Sequence, residues 1–395
     1  MINVVLFYKL TTLIHYTYNG LKIYFYKKKT GVVKTLKTTF NAVFYHFFFS
    51  FYKRVTFYPS NPQLRELDLL VNDSSLFGKW AVVSADPMFN RFAMQNEGKL
   101  FQSSYPKSFR DLVWGGGGGG GRMGSIYGIA SNMMRIEKLK FHFMEDIQRV
   151  IIQTLSNFMN NQTILLQDVC RKVAINLMVN QLLGVTGKSE INEMAQLFSD
   201  FVDGCLSLPI NFLGTAYHTA MKDEQESLRV NSCGEEILLT WQDYKTTMPF
   251  TQSVIDETLR LGGTVIWLMI EAKEDVKYQD YVIPKGCFVV PFLSAVHLDE
   301  IVYTGALTFN PWRWMDPQNQ EKKNWRNSPF YAPFGGGARL CPGAELARLQ
   351  IALFLYYFIT TYSWTQTKED QMSFFPSARL VNGFQICLTR RHLKS

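Results

Sequence analysis

The chain lacks both a paired cysteine spacing and a long apolar run. Its six cysteines stand at positions 170, 205, 233, 287, 341 and 387, and no two are close in sequence. This scatter argues against a disulfide framework and favours a reducing compartment. No uncharged apolar run reaches the roughly 20 residues that a membrane-spanning helix needs.

The first 60 residues contain no acidic side chain. They hold nine of the 41 Lys and Arg residues and many aromatic ones, so the rest of the chain is nearly neutral although the net charge is +8. A nucleic-acid-binding protein would spread its basic residues over the folded surface, and we therefore expect no nucleic acid partner. Residues 1–60 are predicted to be a basic and aromatic segment. It lies at a membrane surface, or it is poorly ordered or not an authentic N-terminus.

Residues 61–395 are predicted to form one domain that is mainly α with a small β lobe. A hydrophobic content of 47% and an aromatic content of 15% indicate a globular chain. Ser75–Ser84 is predicted to be a strand pair with its turn at Gly78, and residues 128–220 are predicted to be successive helices. The seven glycines of 115–121 have no side chains and no following Lys-Ser/Thr. They predict a flexible linker and not a phosphate-binding loop.

The most informative stretch is Pro333–Gly343, which reads PFGGGARLCPG. Its three glycines let the backbone pass close to a large flat ligand. Cys341 precedes a predicted amphipathic helix from Ala344 to about Phe358, and Pro342 is well placed to start that helix. The helix dipole would favour a thiolate, which is a soft ligand for iron. A single cysteine could otherwise be a buried structural residue.

Phe334, Gly335, Arg339, Cys341 and Gly343 stand at the spacing of the haem-binding signature of the cytochrome P-450 family. The chain resembles that family. The resemblance implies the cytochrome P-450 fold, with Cys341 as the axial ligand of the iron of haem b. It also implies that the other four residues bind the cofactor, with Arg339 as a partner of a haem propionate.

Three weaker features follow the order of the same family. Glu257 and Arg260 lie three apart on a predicted helix over 250–261, where they can pair. The resemblance implies that they form a buried charged network with Arg313. Such a network can be buried because its charges are paired, whereas a lone charge could not be. Tyr281–Val290 is predicted to be a hairpin with its turn at Pro284-Lys285-Gly286, and the next histidine, His297, is predicted to be a hydrogen-bonded loop residue.

Several segments resemble one group within the family, the plant brassinosteroid C-23 hydroxylases. The resemblance implies a monooxygenase that hydroxylates the side chain of a hydrophobic steroid with dioxygen. It further implies electrons from NADPH through a partner reductase, and a place on the cytoplasmic face of the endoplasmic reticulum membrane. The segments are Ser131–Arg135, Phe309–Trp314, Glu345–Gln350, Thr360–Trp364 and Phe374–Phe384.

The chain departs from the family pattern above the iron. The family has its longest helix there, with an acid beside a threonine. In this chain only a truncated segment, the mostly polar residues 222–240, stands in its place, and no Ala/Gly-Gly-x-Asp/Glu-Thr motif occurs in the sequence. We therefore expect the long distal helix to be absent and assign no catalytic proton donor. Ile270 stands where the family usually has an arginine for a propionate. The alternative function is a truncated, catalytically impaired haem-binding or apo member of the family.

Overall fold

The structure is a computed structural model. It describes residues 69–76, 79–105, 128–183, 238–246, 248–263, 265–279, 281–373 and 379–391. The segment 1–60 and the glycine run 115–121 lie outside the described residues. So do residues 222–237 of the predicted truncation, while its last three residues, 238–240, are described.

Helices are the main secondary structure of the described residues. The α-helices are α1 (Pro87–Gln95), α2 (Ile136–Lys138), α3 (Met144–Ser156), α4 (Leu166–Leu183), α5 (Trp241–Thr246), α6 (Pro249–Gly262), α7 (Leu293–His297), α8 (Pro317–Lys323) and α9 (Ala344–Thr361). A π-helical turn, Leu139–Phe143, joins α2 to α3, and two 3₁₀ turns cover Pro311–Trp314 and Gly337–Arg339. None of the helices that the structure describes is long and apolar enough to cross a bilayer.

The strands that the structure describes make one five-stranded sheet and three smaller sheets. They are β1 (Leu69–Leu76), β2 (Lys79–Ser84), β3 (Phe101–Ser103), β4 (Thr163–Leu165), β5 (Ile270–Ala272), β6 (Val276–Tyr278), β7 (Tyr281–Ile283), β8 (Phe288–Pro291), β9 (Tyr362–Gln366), β10 (Met372–Ser373), β11 (Arg379–Leu380) and β12 (Gln385–Arg390). The larger sheet has the order β1-β2-β8-β5-β3, in which only β2 and β8 run parallel, and the others have the orders β4-β12-β9, β6-β7 and β10-β11.

The apolar periodicity correctly predicts helices within 128–183, although Thr163–Leu165 is a strand, and residues 184–220 of the predicted helices lie outside the described residues. Ile147, Ile151 and Leu155 lie on one face of α3, and all three are buried, as are Leu166, Val173 and Leu177 on or at the start of α4. These helices pack around α9, whose side chains belong to the same core cluster. The helical part of the protein is therefore organised around the helix that follows Cys341.

The predicted hairpin over Tyr281–Val290 is wrong in its pairing. The turn exists, since Cys287 N–H donates to the Pro284 carbonyl at 3.1 Å and Gly286 has φ +79°. Strand β7 nevertheless pairs back with β6, whereas β8 enters the five-stranded sheet between β2 and β5. All four residues of β8 are buried, and in the larger sheet the strand has a hydrogen-bonded neighbour on each edge.

The helix after the cysteine is longer than predicted and is not amphipathic. It extends from Ala344 to Thr361, and residues on all its sides are buried as far as Leu355. Two polar residues, Arg348 and Gln350, made the pattern look two-sided, but both are buried and hydrogen-bonded to other elements. The helix begins at Ala344 with Gly343 as its N-cap, so Pro342 lies just outside it.

Candidate active site

The segment before α9 folds into a tight loop that carries Cys341. The Cys341 N–H donates to the carbonyl of Phe334 at 3.1 Å, and the Ala344 N–H donates to the carbonyl of Cys341 at 3.3 Å. Gly335 has φ +72°, which a residue with a side chain adopts only with strain. The Phe334 ring is buried against Trp325, with ring centroids 5.1 Å apart. The loop is therefore held at both of its ends.

Gly337 is required by close contact with another element. It has φ +62°, and a Cβ built on it would lie 2.0 Å from the carbonyl oxygen of Met94, at the end of α1. No side chain fits in that space. By contrast, a Cβ on Gly335 would meet nothing nearer than the Arg339 carbonyl at 4.0 Å. The two glycines therefore differ: Gly337 is needed for the close approach of α1, and Gly335 for its positive φ.

The Cys341 thiol is buried, with 6% of the residue exposed. Burial raises the pKa of the thiol to about 11, and the Gly343 N–H only partly opposes this by favouring the charged form. Desolvation thus opposes the thiolate that the helix N-terminus would favour. A metal ion that replaces the thiol proton supplies the missing positive charge.

Arg339 forms an ion pair with Glu97, with the Nε and Oε1 atoms 3.4 Å apart. The Glu97 side chain is almost fully buried, and its Oε1 also accepts a hydrogen bond from the hydroxyl of Ser103. Arg339 itself is half-buried, so its guanidinium group reaches both the carboxylate and the loop surface. Sequence reasoning missed Glu97 as the partner of Arg339, because the two residues are far apart in the chain.

Glu257, Arg260 and Arg313 are in direct contact. The Arg260 Nε and Nη2 donate to the two carboxylate oxygens of Glu257 at 3.0 and 2.8 Å, and the Arg313 Nε donates to Oε1 at 3.0 Å. All three side chains are buried. The indole N–H of Trp314 donates to Oε2 at 2.9 Å, a contact that sequence reasoning missed.

The two arginines of this group also hold the chain that surrounds them. Arg260 Nη1 donates to the carbonyls of His297 and Ala306, at 2.6 and 2.7 Å. Arg313 donates to the carbonyls of Thr304 and Gly305, at 2.9 and 3.0 Å. The group therefore joins α6 to the loop before the 3₁₀ turn Pro311–Trp314, behind the segment that carries Cys341.

The remaining candidates lie away from any reactive position. His297 is the last residue of α7 and not a loop residue, and its Nε2 accepts the Ala332 N–H at 3.0 Å. Ile270 is buried in β5, which pairs with β3 and β8. Its apolar side chain supplies no cation for a propionate. Arg135 and Lys138, two cations that could reach an anionic cofactor edge, are exposed at the two ends of α2.

The residues present fit a haem held by one thiolate. Cys341 supplies a single soft donor at the end of the loop, and of the three glycines only Gly335 has no atom within 4 Å of a Cβ built on it other than the Arg339 carbonyl at 4.0 Å. Arg339 supplies a cation next to that loop, suited to a carboxylate. No cluster of three or more His, Cys, Asp or Glu residues in the described part of the chain could hold a metal ion by itself. A metal bound here would have to bring its other ligands with it, as a porphyrin does.

Known proteins agree with this geometry. A family model, cytochrome P450, matches residues 220–388, which include α6, Arg313 and the cysteine loop. The abietadienol/abietadienal oxidase of Pinus taeda is 35% identical over 399 residues, covering 80% of this chain and 82% of that protein. The chain belongs to the cytochrome P450 family. It is a cytochrome P450 monooxygenase by that membership, and the family implies a haem-iron cofactor.

Two further P450 proteins define the likeness. The 3-epi-6-deoxocathasterone 23-monooxygenase CYP90D1 of Arabidopsis thaliana is 28% identical over 408 residues, covering 80% of this chain and 81% of that protein. The solved structure of retinoic acid-bound cyanobacterial CYP120A1 has a TM-score of 0.68 and 18% identity, and covers 86% of this chain and 96% of that one. That structure shows the P450 fold, mainly α with a small β lobe. The sequence relatives place the chain among plant P450s with similarity to steroid hydroxylases.

Proposed function

We propose that this P450 hydroxylates the side chain of a plant steroid at C-23, with Cys341 as the ligand of haem b. The observation that carries the proposal is the cysteine loop, in which a buried thiol stands three residues before α9 and a Cβ on Gly335 would meet no atom nearer than 4.0 Å. A haem held by a thiolate supplies the chemistry that cleaves dioxygen. The likeness to the Arabidopsis 23-monooxygenase supports the choice of substrate and position.

The residues of this chain would hold the cofactor and the loop. Phe334 packs behind the loop on Trp325, and its carbonyl fixes the Cys341 N–H. Arg339 would exchange part of its contact with Glu97 for a haem propionate, since a guanidinium can bind two carboxylates with different N–H groups. Glu257, Arg260 and Arg313 keep the chain behind the loop in place.

The proposal includes partners that the described residues do not contain. Electrons would come from NADPH through a P450 reductase, as membership of the P450 family implies. The basic and aromatic residues 1–60 would keep the protein on the cytoplasmic face of the endoplasmic reticulum membrane, near a hydrophobic steroid.

A second substrate class has its own support. The abietadienol/abietadienal oxidase is 35% identical to this chain, against 28% for the 23-monooxygenase. Oxidation of the alcohol or aldehyde group of a tricyclic diterpenoid uses the same haem chemistry. A steroid and a diterpenoid share a rigid, apolar, fused-ring body, which an apolar pocket separates only weakly. Both are therefore compared in the same assay.

One observation favours an impaired enzyme as the alternative. The alignment with the pine oxidase extends over 399 residues but includes 80% of this 395-residue chain, or about 316 residues, so about 80 of its positions have no counterpart here. This supports an internal shortening, which we place at residues 222–240. Loss of the distal helix would admit water above the iron and remove the proton donor for dioxygen.

The test is made on the full chain with haem and a plant P450 reductase. The reduced carbon monoxide difference spectrum is recorded first, and a band at the position that gives the family its name shows a thiolate-ligated haem. Turnover is then followed by mass spectrometry with a C-22-hydroxylated steroid and, in parallel, with abietadienol. Steroid hydroxylation at C-23 supports the proposal, and diterpenoid oxidation alone supports the second substrate class. A normal band without turnover supports the impaired enzyme, and no band at all overturns the haem-thiolate assignment.

A further inference from the structure

The carboxylate next to Glu257 belongs to a separate buried cluster. Asp256 lies on α6 and is fully buried. Consecutive residues of an α-helix point about 100° apart, because one turn takes 3.6 residues. Glu257 therefore faces the 3₁₀ turn with Arg313, whereas Asp256 faces α9 and the strand-like segment before the cysteine loop.

Asp256 binds two residues that stand on opposite sides of Cys341. Arg348 donates to both carboxylate oxygens, from Nη1 to Oδ1 and from Nη2 to Oδ2 at 3.1 Å. The hydroxyl of Tyr331 donates to Oδ1 at 3.0 Å. Tyr331 is ten residues before Cys341, and Arg348 is seven residues after it. One carboxylate thus joins the entry and the exit of the segment that carries the thiol.

The other members of this cluster complete its hydrogen bonding. Arg348 Nη2 donates to the side-chain oxygen of Gln252 at 3.0 Å, and Lys323 lies 3.7 Å from Asp256 Oδ2 at the half-exposed side of the cluster. Burial by itself would lower the pKa of Arg348, but the charge and hydrogen bonds of Asp256 raise that pKa above its ordinary value. Arg348 therefore stays charged in the core.

A buried, two-bonded ion pair fixes orientation more than it adds stability. Apolar residues of the same volume often stabilise a core as well as a buried ion pair does. What they lack is the directional pairing of a guanidinium fork with a carboxylate, which sets both distance and angle. Here the angle that is set is that of α9 relative to α6, and α9 begins three residues after Cys341.

We propose that Asp256 is a positioning residue for Cys341: by holding Tyr331 and Arg348 together, it fixes the two ends of the ligand loop and so the place of the sulfur. The inference rests on the proposed role of Cys341 as the iron ligand. It adds a second carboxylate to the Glu257 group, with a distinct task. Glu257 holds the chain behind the loop, and Asp256 holds the loop.

The first test follows backbone hydrogen exchange in the full chain without haem. We expect Asp256→Asn to abolish slow exchange in peptides over 331–343, where the Cys341 N–H is bonded to Phe334, while the sheet β4-β12-β9 stays protected. Asp256→Glu, which keeps the charge, should restore part of that protection. Tyr331→Phe removes the hydroxyl, which lies 3.0 Å from both the Oδ1 and the main-chain carbonyl of Asp256, and leaves the pair of Asp256 with Arg348. We expect it to loosen the loop without loosening α9.

Leu349→Ala is the matched control. Leu349 is fully buried and follows Arg348 on α9, but its side chain has no polar group that could bond to the Asp256 cluster. It should destabilise the protein through a cavity and speed exchange in α9 and its neighbours without singling out the loop. If Asp256→Asn gives the same exchange pattern as Leu349→Ala, or leaves the loop as protected as in the wild type, the inference is overturned.

The second test is a haem titration of the same variants, followed by the Soret absorbance. Loss of a residue that orients a metal ligand typically weakens metal binding by about 10-fold to 100-fold, and we expect Asp256→Asn to fall in this range. Asp256→Glu should fall between it and the wild type. If the wild type binds no haem, the proposed function fails, but the exchange experiment still decides whether Asp256 orders the loop. Equal haem affinity in the wild type and Asp256→Asn would contradict the inference.

Discussion

The Nε of Arg313 donates to the Oε1 of Glu257 at 3.0 Å, although 56 residues separate the two in the chain. The same carboxylate binds Arg260, a completely buried arginine one helical turn further along α6. Two guanidinium groups thus share one counter-charge inside the core. Removing the carboxylate would leave both of them buried without an anion, and buried unpaired charges are among the most destabilising changes a protein can suffer.

We expect Glu257→Gln to lower the free energy of unfolding by about 3–5 kcal/mol, the range for breaking one side of a buried ion pair. The measurement is urea unfolding followed by circular dichroism. Glu145→Gln is the matched control, because Glu145 pairs with Arg149 on the exposed face of α3, and such pairs contribute about 0–1 kcal/mol. Equal losses in the two variants would show that the Glu257 group does not support the core.

The sequence was informative where the chemistry is local. Glu257 and Arg260 lie three apart on one helix, and Cys341 lies within a motif of neighbouring residues. Their spacing in the sequence therefore identified them as candidates. Sequence could not supply the partners that lie far along the chain. Neither the pairing of β8 with β2 nor the contact of Glu97 with Arg339 leaves any periodic trace.

Polar residues on α9 show why the periodicity failed there. Arg348 and Gln350 suggested a solvent-facing side, but Arg348 is neutralised by Asp256 and Gln350 lies 3.5 Å from the amide of Gln181 on α4. A charge inside a core depends on a partner that the local pattern does not contain. The helix therefore looks amphipathic in sequence and is buried on nearly every side in the structure.

Cys341→Ser tests the ligand assignment directly. Serine keeps the size of the side chain but is a hard oxygen donor in place of a soft thiolate, so we expect the reduced carbon monoxide band of the haem-loaded protein to vanish. Cys387→Ser is the control, since Cys387 is half-buried on β12, far along the chain from the loop. A normal band in Cys341→Ser, or its loss in Cys387→Ser, would contradict the assignment.

Buried tyrosines should limit the stability of the protein at alkaline pH. Burial raises the pKa of Tyr244 from 10.0 to about 12, because the phenolate is poorly solvated in the core. The folded state therefore holds its proton at pH values where the unfolded chain has lost it. The stabilisation is complete below about pH 10 and decreases as the pH rises towards 12.

Tyr244→Phe removes this proton linkage and keeps the ring. Between pH 10 and 12 we expect the variant to lose less unfolding free energy per pH unit than the wild type, by at most about 1.4 kcal/mol, the value of one proton. Unfolding in urea is measured at pH 8, 10 and 11. Parallel pH profiles for the two proteins would contradict a raised pKa for Tyr244.

Gly337→Ala tests whether the contact between α1 and the cysteine loop is needed for the site. Gly98 offers the matched control, because it also has a positive φ, at +89°, but a Cβ there would meet nothing within 4 Å. Gly98→Ala should cost only the strain of a left-handed alanine, about 1–2 kcal/mol. In Gly337→Ala the new methyl group would lie 2.0 Å from the Met94 carbonyl oxygen, so the backbone has to move. We expect this variant to lose more unfolding free energy than Gly98→Ala and to bind haem much more weakly, as measured by urea unfolding and haem titration. If the two variants behave alike, the loop does not depend on its close packing against α1.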